Sequence, residues 1–402
     1  MFRSGHKSTL RQEKHVINKP LHIGITSVNF DARPEGICTG RLVRALLNHG
    51  FKITLVTSRK SKLEYAHPRL KTVGLAYRPR NPKLLFKFWA KLIGSFENNF
   101  FLWSRRALKQ SFDSDDIPDI FYGRAWPYAS LVPAYYCSKR YSVPFIAHLS
   151  DPIPPPNEAY PGPKSLENLQ AMLDYAKAVT FTNQETVAYQ GQYTPIDGDK
   201  THVLPHVSPG EHRLPPAEKN AQCYYHIGAI GNRRPVLYAA LEGFKLHLKN
   251  YPHAHMNFVN PKPQEVQPVI RQLSLEKHVS IFPFAPDIRT VMTPATALIS
   301  YEPNVETPIW TLTKTIEYLC ANRCIFALTS KTSPTEKLLR PFPESCVVVN
   351  AYDAGAIAEG YDHLAELAPS EDHFIQRLEQ MADFKAENVA RKFEEICESI
   401  LK

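Results

Sequence analysis

The sequence predicts an α/β protein built from two parallel sheets, and three observations support this class. Its 402 residues are too many for one ordinary core and fit two domains of about 150–200 residues. Short apolar strands alternate with helical patterns over residues 21–207, and the alternation starts again at residue 223. The polar, proline-bearing run 208–222 between them lacks periodicity and is predicted to be a linker. Each half is therefore predicted to form one doubly wound domain, with a cleft between the two.

The first domain, residues 21–207, follows a basic tail at residues 1–20. "LHIGITSVNF" is typical of a buried strand, "DARPEGIC" of a loop, "TGRLVRALLNHG" of a helix that ends at Gly50, and "FKITLVTS" of the next strand. Because strand, helix and strand follow one another, the sheet is predicted to be parallel. Further strands are predicted at 119–125, 144–150, 178–183 and 200–207, with "YASLVPAYYCSKRYS" and "SLENLQAMLDYAK" as helices between them.

The second domain is assigned to residues 223–369 on the same alternation. Strands are predicted at 223–230, 255–260, 279–284, 296–301 and 324–330, and helices at 234–251, 265–275, 287–295 and 313–322. Residues 370–402 form a long amphipathic helical pattern with no strand after it. We expect this C-terminal helical segment to pack across either domain.

Composition limits the classes of partner and compartment. The formal net charge of +9 favours an anionic partner, which is nucleic acid, an acidic membrane face or a phosphorylated small molecule. The seven cysteines include no C-x-x-C pair or Cys/His cluster, so the sequence indicates neither a metal site nor a disulfide framework. The first twenty residues lack the apolar run of a signal peptide. We expect a cytoplasmic protein that is soluble or peripheral at a membrane.

Lys314 and Glu317 lie three positions apart where the helix after strand 296–301 begins. In open α/β sheets, ligands bind beyond the carboxyl ends of the strands, and helix N-termini attract anions. The ammonium would face phosphate while the carboxylate accepts hydrogen bonds from sugar hydroxyls, a division that suits a nucleotide sugar. The alternative is a surface pair in which the helix dipole favours the glutamate by roughly 0.3–1 kcal/mol.

A resemblance supports the ligand-binding interpretation. "TLTKTIEYLCANRCIFAL" resembles the K-x-x-E-Y-L-A-x-G-x-P-V segment of group 1 (family 4-like) glycosyltransferases, which have the GT-B fold. "EGICTGRLVRALLNHGFKITLVTS", "AVTFTNQET" and "YHIGAIGNRRPVLYAALEGFKLHLKNYP" resemble other segments of that family in the same order. The resemblance covers about 300 residues and implies two Rossmann-like doubly wound domains that face a cleft, the first for the acceptor and the second for the nucleotide-sugar donor.

The resemblance also implies roles for individual residues of the second domain. Glu317 takes the place of the glutamate that contacts the donor ribose, with Thr313 beside it. One of Arg233 and Arg234, next to Gly231, takes the place of the arginine that steadies the departing diphosphate. The chain departs from the family at two points. The lysine expected five positions after the arginine is absent, so Lys314 takes that task, and the first glutamate of the E-x7-E pair is replaced by Ile309, for which Glu302 or Glu306 would have to substitute.

Two regions of the first domain are candidates for the other side of the cleft. "FIAHLSDPIPPP" places His148 and Asp151 at the carboxyl end of a strand, where the resemblance implies contact with the donor sugar. A core histidine followed by an aspartate that caps a turn is the equally weighted alternative. In "NFDARPEGICTG", Gly36 and Gly40 precede a helix and would let backbone N–H groups approach a phosphate or the acceptor.

Residues 78–109 contain eight Lys or Arg, many aromatic residues and a single acid, Glu97. Basic amphipathic segments of this kind bind anionic membrane surfaces, although two helices with a buried aromatic face explain the pattern equally well. No recognised nucleic-acid-binding module is present, so we expect no nucleic-acid partner.

Together the residues and the resemblance predict a glycosyltransferase. It would move a sugar from a nucleotide-sugar donor to a glycan or lipid-linked acceptor in surface polysaccharide or glycolipid synthesis, with retention, without a metal and with no cofactor beyond the donor itself. His148, Asp151, Arg233 and Lys314 would be catalytic, and Gly36, Gly231, Arg234, Thr313 and Glu317 would bind the donor. A nucleotide-sugar epimerase and a non-catalytic GT-B-like binding subunit are the alternatives.

Overall fold

The computed structural model describes residues 19–31, 33–59, 65–76, 101–156, 163–217, 222–283, 285 and 287–402. The predicted basic tail, apart from its last two residues, and most of the basic aromatic segment 78–109 lie outside the described residues. Within those residues, no helix is long and apolar enough to cross a membrane.

The first sheet has seven strands, and every strand pair in it is parallel. Its order is β3-β2-β1-β4-β5-β6-β7. The strands are β1 (His22–Thr26), β2 (Lys52–Ser58), β3 (Leu70–Leu75), β4 (Ile120–Ala125), β5 (Phe145–Leu149), β6 (Ala178–Phe181) and β7 (Thr201–Val203). The α-helices described in this region are α1 (Arg33–His49), α2 (Phe101–Ala107), α3 (Leu131–Tyr141), α4 (Pro163–Tyr175) and α5 (Gln184–Gly191).

The second sheet has six parallel strands in the order β10-β9-β8-β11-β12-β13. They are β8 (Cys223–Ile227), β9 (His255–Val259), β10 (Val279–Phe282), β11 (Ala297–Tyr301), β12 (Cys324–Leu328) and β13 (Cys346–Val349). The α-helices described here are α6 (Arg234–His247), α7 (Pro263–Leu273), α8 (Ile288–Met292), α9 (Thr313–Leu319), α10 (Pro334–Leu339) and α11 (Ala354–Glu366). This is the strand order of a dinucleotide-binding Rossmann domain.

The C-terminal segment forms two helices, α12 (Glu371–Gln380) and α13 (Ala386–Leu401), and they pack on different domains. Arg377 of α12 is buried and donates hydrogen bonds to the carbonyls of Ala321 and Arg323 in the second domain. Phe393 of α13 is buried in the core of the first domain, with its ring edge against Phe51. The C-terminal segment therefore connects the second domain back to the first.

The prediction of a loop over residues 31–38 is wrong, because α1 begins at Arg33. Pro34 has the fixed φ that suits the first turn of a helix, and the acidic Glu35 favours the same turn through the helix dipole. Gly36 consequently lies inside the helix and is buried.

The sheet orders define the crevices. The order reverses between β1 and β4 in the first sheet and between β8 and β11 in the second, so each domain has a switch point at the carboxyl ends of these strands. Asn183, which follows β6, donates hydrogen bonds to the Ile309 carbonyl and the Thr311 hydroxyl, both 2.8 Å away in the loop after β11. The carboxyl-end edges of the two sheets therefore face each other.

Candidate functional site

The switch point of the second sheet brings two cations to one place. Lys314 lies in the first turn of α9, and Arg233 lies in the turn Gly231–Arg233 that connects β8 to α6. His226 on β8 lies within hydrogen-bond distance of Lys314, and Glu302, the first residue after β11, is near enough to act on the charge of both cations. These four side chains form the cluster that we call the switch-point cluster.

The Lys314 ammonium is held against a histidine. Its Nζ lies 3.2 Å from His226 Nε2. The backbone beside it is Gly228, whose φ of 105° is a left-handed conformation that favours glycine. A Cβ at Gly228 would lie 3.8 Å from Lys314 Nζ and would partly fill the space beside the ammonium. Burial, together with the Arg233 charge, lowers the pKa of Lys314 well below its usual value.

His226 is fully buried, and its surroundings fix its proton. Its Nδ1 lies 3.1 Å from the Ile299 carbonyl oxygen, which can only accept, so Nδ1 carries the hydrogen. Burial and the Lys314 charge lower the pKa of the imidazole well below its usual value, so the ring is neutral at pH 7. The lone pair of Nε2 therefore accepts from the Lys314 ammonium.

Arg233 has hydrogen-bonding capacity that the protein does not use. Its Nη1 donates a long bond of 3.4 Å to the Ala229 carbonyl. Its Nε is buried and has no hydrogen-bond partner among the described residues. A buried donor without a partner costs roughly 1–3 kcal/mol, so a ligand that satisfied it would recover that free energy. The neighbouring Arg234 is exposed.

Gly231 occupies the turn before Arg233. Its φ is 54°, it is exposed, and nothing lies within 4 Å of the position that a Cβ would take. Its N–H donates to Glu265 Oε2 at 3.2 Å, so this amide is already used within the protein.

Glu302 compensates the two cations only in part. It is buried, and its carboxylate accepts hydrogen bonds from the hydroxyls of Thr329 and Thr335. Burial raises the pKa of Glu302 above its usual value. A site with two cations and one acid of raised pKa is electrostatically suited to an added anion.

Glu317, the predicted ribose ligand, contacts the first domain. Both of its carboxylate oxygens lie 3.0 Å from Arg41 Nη2 of α1, and the side chains of Arg41 and Glu317 are 15% and 9% exposed. His212 Nε2 lies 3.8 Å from Glu317 Oε1. Burial acts to raise the pKa of Glu317, but the nearby His212 and the hydrogen bonds and charge of Arg41 lower it below its usual value.

Thr313 lies at a second contact between the domains. Its hydroxyl is 3.2 Å from the Cys38 sulfur of α1. Ile309, which stands where the resemblance expects a glutamate, is buried, and its carbonyl accepts from Asn183 and from the Thr186 hydroxyl. The start of α9 and the loop before it are therefore fixed to the first domain.

The hydrogen-bond partners described for the predicted His148 lie within the first domain. His148 is fully buried in β5, and its ring nitrogens lie 2.9 Å from the hydroxyls of Thr180 and Ser150. Burial, helped by the nearby charge on Arg124, lowers the pKa of His148 well below its usual value. Asp151 follows β5 and is half-buried.

Gly36, predicted to let backbone N–H groups approach a ligand, packs closely against the loop after β1. A Cβ there would lie 3.1 Å from Asn29 Cβ and 3.1 Å from the Phe30 nitrogen, so the glycine lets α1 pack against the loop after β1. Its carbonyl accepts from the Asp31 N–H.

Sequence reasoning missed His226 and Arg41. His226 lies inside a strand that is apolar enough to predict a buried position, and nothing in the spacing connects it to Lys314. Arg41 is one basic residue among several on α1, and only the packing of the two domains brings it to Glu317.

Two Rossmann-like domains whose carboxyl-end edges face each other across a switch-point crevice define the GT-B fold, and the predicted fold class is confirmed. Solved glycosyltransferases of this fold align with nearly the whole chain. HepE from Anabaena, in a complex with UDP and glucose, is 14% identical, with a TM-score of 0.65 over 94% of this chain and 99% of that one. Sucrose-phosphate synthase from Thermosynechococcus elongatus is 15% identical, with a TM-score of 0.66 over 95% and 99% of the two chains.

A glycosyltransferase from Rickettsia africae is 16% identical, with a TM-score of 0.61 over 96% of this chain and 99% of that one. No family model matches the sequence, and no curated protein matches it. At such low identity, the structural likeness establishes the fold.

Proposed function

We propose that this chain is a glycosyltransferase that moves a sugar from a nucleotide-sugar donor to an acceptor hydroxyl. The observation that carries the proposal is the switch-point cluster, in which Arg233 and Lys314 lie near one another and, among the described residues, Arg233 Nε has no partner and Glu302 is the one acid that compensates the two cations. A nucleoside diphosphate supplies the missing negative charge. HepE, which shares the fold, binds UDP and glucose, and this supports the same class of donor here.

The chemistry follows from the charge of the leaving group. The bond between the sugar C1 and the diphosphate oxygen breaks as the bond from C1 to the acceptor oxygen forms, and negative charge develops on the diphosphate. Arg233 and Lys314 would stabilise this charge, a task that needs no metal if the two cations suffice. In a retaining reaction the leaving phosphate oxygen takes the acceptor proton on the same face, so no protein base is required.

The finer assignments are part of the proposal. We assign the chain to the group 1 (family 4-like) enzymes, with a glycan or lipid-linked acceptor in surface polysaccharide or glycolipid synthesis. The basic aromatic segment 78–109 supports a peripheral position on an anionic membrane face at the cytoplasmic side.

Of the remaining site residues, the exposed Arg234 is left out of the proposed donor site, and the others, apart from Gly36, keep their predicted roles as proposals. Thr313 and Gly231 lie beside the cluster, and His148 and Asp151 would shape the sugar side of the cleft. Gly36 would act through the packing of α1 and not through its own amide. For Glu317 to bind ribose, its carboxylate would have to exchange Arg41 for the ribose hydroxyls.

Calorimetric titration with UDP, GDP and dTDP tests the donor class, and the two adjacent arginines provide a matched pair of variants. We expect one nucleotide to bind the wild type. Arg233→Gln should weaken that affinity by about tenfold or more, because a charged hydrogen bond is lost, and Arg234→Gln should leave it within twofold. Weaker binding in Arg234→Gln alone would assign the diphosphate contact to Arg234 in place of Arg233. The absence of binding by all three nucleotides would refute the proposal.

A non-catalytic binding subunit is the second candidate. It is favoured by Ile309 at the position of the expected glutamate and by the engagement of Glu317 with Arg41. Incubation with nucleotide sugars and a panel of glycan acceptors separates the candidates. Release of the free nucleotide that depends on an acceptor supports the transferase, whereas tight binding without release supports the subunit.

A further inference from the structure

The switch-point cluster contains a buried group that the proposed chemistry does not use directly. His226 is fully buried, with its ring stacked on Tyr301 at 5.1 Å between centroids and an interplanar angle of 14°. A buried histidine needs a partner for each ring nitrogen, so what distinguishes His226 is that the partner of its Nε2 is a cation. Here Nε2 lies 3.2 Å from the ammonium of Lys314.

The two ring nitrogens have separate partners and separate tasks. Nδ1 donates to the Ile299 carbonyl of β11, the neighbouring strand, and this bond fixes both the tautomer and the orientation of the ring. With the proton on Nδ1, the Nε2 lone pair faces the ammonium. A lysine side chain has several rotatable bonds, and this acceptor selects one position for its end.

We propose that His226 is a positioning residue, whose Nε2 holds the Lys314 ammonium beside Arg233 so that the two cations bind one diphosphate group together. The inference rests on the proposed function, because it concerns the anion that the two cations would bind. It adds a residue with no direct contact to the ligand, and it predicts that His226 acts through Lys314 alone.

Two variants separate the tasks of the two ring nitrogens. His226→Gln places an amide oxygen near the position of Nε2 and keeps an acceptor for Lys314, but it loses the bond to Ile299. His226→Asn places an amide nitrogen near the position of Nδ1 and keeps that donor, but it loses the acceptor. The probes are UDP and inorganic pyrophosphate, titrated calorimetrically, and the unfolding midpoint of each variant is measured in parallel.

We expect His226→Asn to bind both probes about tenfold more weakly than the wild type and His226→Gln to stay within about threefold. A role limited to core packing predicts that affinity follows the unfolding midpoint, whichever nitrogen is replaced. Equal affinities of His226→Asn and the wild type would overturn the inference, as would weaker binding by His226→Gln than by His226→Asn.

A double-mutant cycle tests whether His226 acts through Lys314. We expect Lys314→Met combined with His226→Asn to bind no more weakly than Lys314→Met alone. Additive losses would overturn the positioning role. If the wild type binds neither UDP nor pyrophosphate, the proposed function fails and the inference fails with it, whereas normal wild-type binding with an insensitive His226→Asn refutes the inference alone.

Discussion

The two domains have the same strand order around their switch points, but one basic side chain of each, His148 in the first and Arg233 in the second, is paired differently. In the first domain, His148 has both ring nitrogens within hydrogen-bond distance of hydroxyls on its own and a neighbouring strand. In the second, Arg233 keeps a buried Nε without a partner among the described residues, and the ammonium of Lys314 rests against His226. His148 is therefore satisfied within the protein, whereas Arg233 has a donor that the described residues leave unused.

Glu317 of the second domain contacts Arg41 of the first. Removing Arg41 should give the largest effect on the free energy of unfolding. Arg41→Met would leave the Glu317 carboxylate mostly buried without Arg41 Nη2, which lies 3.0 Å from both of its oxygens. Breaking one side of such a pair costs roughly 3–5 kcal/mol. We expect a decrease of about 3 kcal/mol in the free energy of unfolding, measured by urea denaturation, because His212 lies near enough to offset part of the loss.

The matched control is the double variant Arg41→Met with Glu317→Leu, which removes both charges. It should recover most of the lost stability, since no unpaired charge stays buried. A single variant within 1 kcal/mol of the wild type would show that the Arg41–Glu317 contact contributes little to the association of the domains.

Lys314→Met tests whether the switch-point cluster of the second domain binds the nucleotide. The loss of a charged hydrogen bond to the diphosphate should weaken UDP binding by roughly 1.5–3 kcal/mol. The exposed Lys277 of the same domain provides the control, because Lys277→Met makes the same change in net charge at a solvated position. Equal affinities in the two variants, measured by calorimetry, would mean that only net charge matters and that Lys314 has no specific role.

His148→Leu tests the first-domain side, where we expect a change in stability and none in nucleotide affinity. The substitution leaves the buried Thr180 hydroxyl and the Ser150 hydroxyl without the ring, at a cost of about 1–2 kcal/mol in the free energy of unfolding. UDP affinity should stay within twofold. A tenfold loss of UDP affinity with unchanged stability would place His148 in the nucleotide site and remove the contrast between the domains.

The sequence predicts most of the fold because the strands around each switch point are short apolar runs that are easy to recognise. Two edge strands are absent from the prediction: β3, where "LKTVGL" has two exposed residues, and β13, which is only four residues long. The start of α1 is also mispredicted, because Gly36 and Pro34 resemble loop residues although the first turn of a helix accepts both.

The site is only partly predictable from the sequence. Lys314 and Arg233 follow strands, so the rule that ligands bind at the carboxyl ends of strands identifies them. The residues that contact Lys314 and Glu317 in the folded protein are distant from them in the sequence. His226 precedes Lys314 by 88 positions, and Arg41 precedes Glu317 by 276, so packing alone reveals them.

The lowered pKa of Lys314 predicts that diphosphate affinity depends on pH. Over a narrow pH range, this change in affinity is the smallest of the predicted effects. In the free protein, burial and Arg233 disfavour the ammonium, while Glu302 opposes this shift and His226 stays neutral. A bound diphosphate favours the ammonium and raises this pKa, so binding takes up a proton. Affinity should therefore be greatest below the pKa of the free protein and should fall as pH rises above it, by up to about 1.4 kcal/mol per pH unit.

UDP-glucose is the suitable probe, because its diphosphate has no group that titrates near neutral pH. Calorimetry in buffers of different ionisation enthalpy measures the proton uptake directly. Lys314→Arg is the control, since a guanidinium stays protonated throughout and should bind UDP-glucose without net proton uptake. The same uptake in Lys314→Arg and the wild type would assign the titration to another group of the cluster, with Glu302, whose pKa burial raises, as the remaining acid.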